Sequence, residues 1–403
     1  MAEGDEERSV VESSDEVTEV TSKSWLQRVG ESFAGVVIGF VLIAGTAILL
    51  FWNEGRAIQT ARSLDEGAGA VRTVAADRVD AANDGKLVHV TGPLSVGGSI
   101  SDNEFGVRSA GVRLVRHVEM YQWKEETESE TRKKLGGGEE TVTKYKYSRE
   151  WSDRPIDSSK FKDRRGHANP QMIYRQRNVV AQTRLGAFKV PENLLQNFGE
   201  EQPIAATAEQ ASALQARLNK PVQAVDGVLY VGADAGQPAV GDLRITFKEV
   251  RLQTASVIGR QAGGTFEPYQ TQAGGTFQLI AAGQVPAADM FKSAQASNRL
   301  LTWILRGVGV VLMFIGFAMI LKPLSVLADV IPILGDIVGA GAGIVAFLCT
   351  AAIAPLVIAI GWLWYRPVVA IGILAIGGIL TYAAIRLGRQ RAARKAGAAP
   401  APA

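Results

Sequence analysis

Four stretches of the chain carry at most one charge over a length that crosses a bilayer. Phe33–Trp52, FAGVVIGFVLIAGTAILLFW, is twenty residues without a charge. At 1.5 Å per residue it spans roughly 30 Å of hydrocarbon. Trp25 and Trp52 flank it as interfacial aromatics, so a first transmembrane helix is predicted over 25–52. Leu300–Leu321 contains only Arg306, near its start, where the side chain is expected to snorkel to the interface. Ile337–Tyr365 is uncharged over 29 residues, more than one vertical crossing needs, so tilt is expected to absorb the excess. Pro367–Ile385 is uncharged over 19 residues, and only Arg366-Pro367 separates it from the run before. The pattern predicts four transmembrane helices, at 25–52, 300–321, 337–365 and 366–385.

Residues 53–299 alternate apolar and polar positions instead. Leu87–Gly92, Val112–Glu126, Thr141–Trp151, Asn178–Val190, Val228–Gly232, Asp242–Leu252 and Thr254–Arg260 favour strands. The charged stretch around Gly136–Gly138 reads as a hairpin tip. Gly-Gly-Thr-Phe, at Gly263–Phe266 and Gly274–Phe277, suggests two similar hairpin corners. Ala206–Leu218 has helical spacing, and Asn53–Gly69 continues the first helix. The fold class is therefore α+β: a multi-pass membrane protein with a large β-rich domain between the first and second transmembrane helices. Lys322–Asp336 places Leu324, Leu327, Val330 or Ile331, and Leu334 at helical spacing, which predicts a short amphipathic interfacial helix. Pro332 is expected to break it, and Asp336 to cap the third transmembrane helix. Asp329 and Asp336 read as interfacial polarity and capping; an intramembrane ion or proton site is the alternative.

Charge sets the orientation. The tail at 386–403 carries Arg386, Arg389, Arg391, Arg394 and Lys395 without an acid, which predicts a cytoplasmic C-terminus. Four crossings then place residues 1–24, with eight acids and two bases, on the same side as a disordered acidic tail. The domain at 53–299 becomes extracytoplasmic, with the Gly136–Gly138 tip outside; Arg56 and Arg62 run against this assignment. A net charge of +3 gives no reason to expect a nucleic-acid partner.

Glycines offer helix contacts. Gly35 and Gly39, and then Gly335, Gly339 and Gly343, repeat at four-residue spacing, where small residues let helices approach within the chain or between copies. At the outer face, Asn53 or Glu54 is expected to contact Arg366; a local pairing of Glu54 with Arg56 competes with this. Reactive constellations are scarce. One cysteine, Cys349, excludes an internal disulfide, and three histidines leave little for a metal site. Ser159–Lys162 fits S-x-x-K without companion motifs, and Glu119, Glu125 and Glu126 read as a solvated strand face. His117, Tyr121 and Trp123 share a strand face, as packing or as an aromatic platform. No catalytic, cofactor-binding or metal-binding residue is predicted.

In order along the chain stand FWNEGRAIQTARSLDEG (Phe51–Gly67), KLVHV (Lys86–Val90), RHVEMYQW (Arg116–Trp123), VGDLRITF (Val240–Phe247) and GWLWYRP (Gly361–Pro367). This series resembles the LUMA, or transmembrane protein 43, family from about Trp25 to about Ile385. The resemblance implies a multi-pass protein with one large lumenal or extracytoplasmic domain and no catalytic residues. For animal members it implies the endoplasmic reticulum and inner nuclear membrane, contacts with emerin and lamins, and self-association. The Ala, Gly and Arg usage, including AGAAPAPA at the C-terminus, looks bacterial; a bacterial member would sit in the inner membrane with its domain in the periplasm and without those nuclear partners. The expected function is a non-enzymatic scaffold, with the lipid bilayer, further copies and other membrane proteins as partners. A channel or transporter component would draw on Asp329, Asp336 and Arg306. A membrane-tethered lipid-binding or enzymatic domain would draw on His117, Glu119 and Tyr121.

Overall fold

The computed structural model describes residues 9–13, 16–368, 371 and 386. Three of its helices are long and apolar enough to cross a membrane: Trp25–Ala70, Ala287–Ala328 and Pro332–Tyr365. Ser24 caps the first, its Oγ accepting from the Gln27 N–H. That helix runs unbroken through Asn53–Gly69, as its sequence predicts. The predicted fourth helix and the basic tail lie outside the described residues, apart from 366–368, 371 and 386.

The segment at 322–336 departs from expectation. Ala287–Ala328 continues through Pro323, so Lys322–Ala328 extends the second long helix and forms no separate amphipathic one. Pro332 opens the third long helix rather than breaking one, because a first-turn residue needs no N–H partner. Asp336 therefore lies inside that helix, not at its cap.

The β-rich part contains a nine-stranded and a seven-stranded sheet. In the first, Leu243–Val250 pairs antiparallel with Arg113–Lys133, setting Ile245 opposite Val118. Period-two alternation turns Leu243, Ile245 and Phe247 inward, against Val118, Met120 and the helix Ala208–Leu218. Thr207 and Gln210 close a capping box on that helix. In the second sheet, Leu87–Val96 pairs with Thr254–Ala262, and Val90, Val257, Phe188 and Phe266 fill its core. A third cluster joins Leu64 near the end of the first helix to Leu87, Ile258, Met290 and Phe291. Both Gly-Gly-Thr-Phe repeats turn corners. Gly263, at φ 57°, lies between the paired strands Thr254–Ala262 and Thr265–Glu267; Gly274, at φ 89°, between Tyr269–Gln270 and Thr276–Phe277.

The longest hairpin pairs Arg113–Lys133 with Glu139–Ser152, from Met120 opposite Ser152 to Lys133 opposite Glu139. Gly136 and Gly137 turn its tip at φ 89° and 81°. Glu16–Lys23 adds a third strand, with Val17 opposite Tyr145, so this part of the acidic tail is ordered sheet. Val17 is buried there with Tyr147 and Phe161, while Glu16 and Glu19 pair with Lys144 and Lys162. The tip meets two segments that the sequence analysis assigns to the other membrane face. The Gly136 N–H donates to Val330 O at 3.2 Å, and the Trp25 indole N–H donates to Val326 O at 2.9 Å. The structure thus brings the tip beside both segments, which the expectation keeps apart.

Two compact units share the chain. One comprises Met1–Val29, Ala61–Ser297 and Val326–Gly335; the other, Gly30–Thr60, Asn298–Ser325 and Asp336–Ala403.

Candidate functional site

In the helical unit, polar residues at four-residue spacing put Asn298, Thr302 and Arg306 on one face of the second long helix. They meet Asn53, Glu54, Arg56 and Ala57 of the first. Arg306 grips Glu54 with a bidentate fork, Nε to Oε1 at 2.7 Å and Nη2 to Oε2 at 2.8 Å. Glu54 is 1% exposed, so its charge is sustained by this partner rather than by water. Asn53 Nδ2 donates to Thr302 O at 3.2 Å; Arg56 donates to Asn298 Oδ1 and Thr302 Oγ1, both at 2.9 Å; Asn298 Nδ2 donates to Ala57 O at 2.9 Å. A polar seam thus joins two otherwise apolar helices.

Two expectations change here. Arg306 does not snorkel away, because a carboxylate lies within reach. Glu54 is taken by Arg306 and not by Arg366, whose guanidinium lies over the Trp362 ring at 5.6 Å from its centroid. The third long helix approaches Glu54 through Gly361, where a Cβ would stand 3.2 Å from Glu54 Cβ and Cγ.

The predicted glycines divide. A Cβ on Gly39 would stand 2.7 Å from Gly316 O and 2.8 Å from Ile320 Cγ1, so the first two long helices touch backbone to backbone there. Gly35 has only Met319 Cε at 3.9 Å, and Gly339 only Ser325 Cβ at 3.5 Å, both ordinary contacts; Gly343 faces nothing within 4 Å. Gly309 and Gly316, which the spacing argument missed, receive Leu50 and Ile43. They lie seven residues apart, two helical turns, and a search for glycines at that spacing in the second run finds them.

The β-rich unit has its own ionic centre. Asp329, 1% exposed, accepts from Arg28 Nη2 at 2.5 Å and from Lys133 Nζ at 2.7 Å. Arg28 also pairs through Nε with Glu139 at 2.8 Å and donates through Nη1 to Gly137 O at 2.5 Å. Two cations and two carboxylates therefore tie the start of the first helix, the hairpin end and the Asp329 turn together. Gly335 belongs here and not to a helix crossing, since a Cβ at 335 would collide with Asp329 Oδ1.

Most remaining candidates are engaged in packing or separate pairs, and Glu119 stands half-buried on its strand opposite Arg244. Ser159 Oγ donates to Asp157 Oδ1 at 2.6 Å, whereas Lys162 Nζ reaches Glu19 at 2.7 Å, so they form no dyad. Tyr121 packs on Trp151 at 5.2 Å and Trp123 edge-on to His167 at 4.7 Å, while half-exposed His117 stands 3.5 Å from Glu201. Glu125 accepts from the Tyr147 hydroxyl at 2.8 Å. Buried Tyr147 is held un-ionised, its pKa pushed well up by burial. Among the described residues no three His, Cys, Asp or Glu side chains gather as a metal site.

The family model described as transmembrane protein 43 matches residues 120–367, more than half of the chain. The chain belongs to the transmembrane protein 43 family. It is similar to transmembrane protein 43 of Rattus norvegicus, at 32% identity over 397 residues, covering 94% of this chain and 95% of the rat protein. Transmembrane protein 43 of Homo sapiens is 31% identical over 365 residues, covering 86% of this chain and 88% of its own length. The transmembrane protein 43 homolog of Drosophila melanogaster is 28% identical over 355 residues, covering 85% and 91% respectively. No solved structure matches the chain. The span matched by the transmembrane protein 43 model includes the hairpin tip, the Asp329 turn, Arg306 and the third long helix.

Proposed function

We propose that this member of the transmembrane protein 43 family is a non-enzymatic membrane scaffold that self-associates and organises other membrane proteins. The observation that supports this reading is the mutual closure of the deeply buried carboxylates. Glu54 is held by Arg306, and Asp329 by Arg28 and Lys133. A general acid or base needs a free face toward its substrate, and a translocation site needs a charge that changes partners. These carboxylates are locked between segments distant in sequence, which suits a rigid platform. The test is crosslinking in native membranes followed by native mass spectrometry of the purified complex in mild detergent. Reproducible multimers or a constant set of co-purified membrane proteins are expected. A chain that stays strictly monomeric and alone in both measurements overturns the proposal.

A further inference from the structure

One end of the helical unit gathers charge of a single sign. Residues 53–57 of the first long helix, 298–306 of the second and 361–366 of the third meet there. Asn298 Nδ2 donates to Ala57 O, Phe51 packs on Tyr365 with ring centroids 5.4 Å apart, and a Cβ on Gly55 would collide with the Tyr365 ring. Within these residues stand Arg56, Arg299, Arg306 and Arg366, with Glu54 as the one acid, so four cations face one carboxylate and a surplus of three positive charges remains. Arg306 uses Nε and Nη2 on Glu54, and Arg56 donates to neutral oxygens of Asn53, Asn298 and Thr302. Arg299 is exposed and Arg366 half-buried, and neither has a carboxylate partner among the described residues. Tryptophans ring the same layer: Trp52, Trp303 and Trp364, one from each helix, are 54%, 67% and 72% exposed. Arg299, Trp303 and Arg306 follow one another at spacings of four and three, so they form one stripe along the second helix, and the Arg306 guanidinium lies over the Trp303 ring at 4.8 Å from its centroid. Arg366 repeats the pairing on Trp362.

We infer that this end of the helical unit is a binding surface for anionic phospholipid headgroups, with Arg299 and Arg366 as the cations free to meet the phosphate. Two observations select that occupant. The layer closes one end of the three charge-poor runs at 33–52, 300–321 and 337–365, where apolar surface gives way to polar, and exposed tryptophans are the residues that settle at headgroup level. The surplus of guanidinium charge is neutralised by anions from outside the layer, and the planar fork matches a phosphate through paired N–H donors. A phosphatidylcholine headgroup brings its own cation, whereas phosphatidylglycerol brings none, so the surplus discriminates between them. The inference concerns the helical unit by itself and holds whether or not copies of the chain associate.

The test uses the full chain reconstituted in phosphatidylcholine vesicles that contain a minor fraction of lipid brominated on its acyl chains near the headgroup, either phosphatidylglycerol or phosphatidylcholine. Bromine quenches tryptophan on contact, so Trp52, Trp303 and Trp364 report the lipid beside them. Brominated phosphatidylglycerol should quench at about one-fifth of the mole fraction that brominated phosphatidylcholine needs, the discrimination that one basic residue near an anionic surface supplies. The double variant Arg299→Gln, Arg366→Gln leaves the Glu54–Arg306 pair in place and should lose the preference; Arg299→Lys, Arg366→Lys should keep most of it. Equal quenching by the two brominated lipids in the unaltered chain overturns the inference. So does a preference that survives Arg299→Gln, Arg366→Gln, whether or not it then disappears when the basic tail is neutralised at Arg389, Arg391, Arg394 and Lys395. If the glutamine variant does not fold, a sodium chloride titration of the chain with only that tail neutralised decides: the preference should fall steeply as salt screens it, and a preference indifferent to salt overturns the inference.

Discussion

The two ionic centres solve one problem differently. Glu54 in the helical unit has one hydrogen-bonded cationic partner, in a closed bidentate pair, with Arg56 acting on it only through space. Asp329 in the β-rich unit shares two cations, one of which also serves Glu139 and a backbone carbonyl. A one-to-one pair is geometrically well defined but has no reserve. A shared network has contacts as short as those of the pair, yet can lose one cation and keep another. The contrast follows from surroundings: two helices bring together one matched pair, whereas a turn, a strand end and a helix start converge on one carboxylate.

The largest effect should come from breaking the closed pair. Arg306→Ala leaves the Glu54 carboxylate buried without its hydrogen-bonded cation, and should cost about 3–5 kcal/mol, read as a large fall in the thermal midpoint in detergent. The double variant Glu54→Leu, Arg306→Leu removes both charges and should recover most of that loss. If the double variant is as unstable as the single one, the pair is not the source of the effect. Lys133→Met should cost less, about 1.5–3 kcal/mol, because Arg28 still holds Asp329. Equal losses for Lys133→Met and Arg306→Ala would erase the distinction between a closed pair and a shared network.

Glycine contacts sharpen the comparison at the next level. Gly39→Leu should lower stability by about 1–3 kcal/mol through overpacking. Gly45→Leu, with nothing within 4 Å of its would-be Cβ, should be close to neutral. Matching denaturation curves for the two variants would show that Gly39 makes no tight crossing.

The smallest effect concerns a neutral buried group outside both centres. His89 is 5% exposed, and burial lowers its pKa, while its Nε2 lies 3.0 Å from Val285 O. The unfolded chain then binds a proton more readily than the folded one. The stability contributed by neutral His89 is present above the ordinary histidine value and is lost as pH falls from there toward the lowered folded value. His89→Gln should flatten that part of the pH–stability curve. An unchanged slope would assign the pH dependence to another group.

The membrane-spanning lengths were legible because a charge inside hydrocarbon is costly and charge-free runs stand out. The strand positions around Leu87, Val118, Ile245 and Val257, and the two Gly-Gly-Thr-Phe corners, followed from alternation and turn chemistry. Gly39 was found by spacing, since its contact lies directly across a neighbouring helix. Arg306 was misread because its partner is 252 residues away, and only the rotation of two helices about their axes brings the pair together. Glu16–Lys23 was hidden by its acids, although Val17 supplies a buried anchor. Gly335 shows a further limit: its four-residue repeat is real, but it makes room for a carboxylate six residues earlier rather than for another helix.

The Arg28–Asp329 contact also sets a clock on biosynthesis. Its partners are 301 residues apart. At ordinary elongation rates of about 5–20 residues per second, Arg28 is added to the chain roughly 15–60 s before Asp329. Glu139 arrives first, followed after a long delay by the carboxylate that completes the centre. Once Glu139 is made, the hairpin end can meet Arg28 through Glu139 and Gly137 O, but the carboxylate that links Arg28 to Lys133 is still missing. The final fastening of the β-rich unit thus waits until the second long helix and the turn after it have been synthesised.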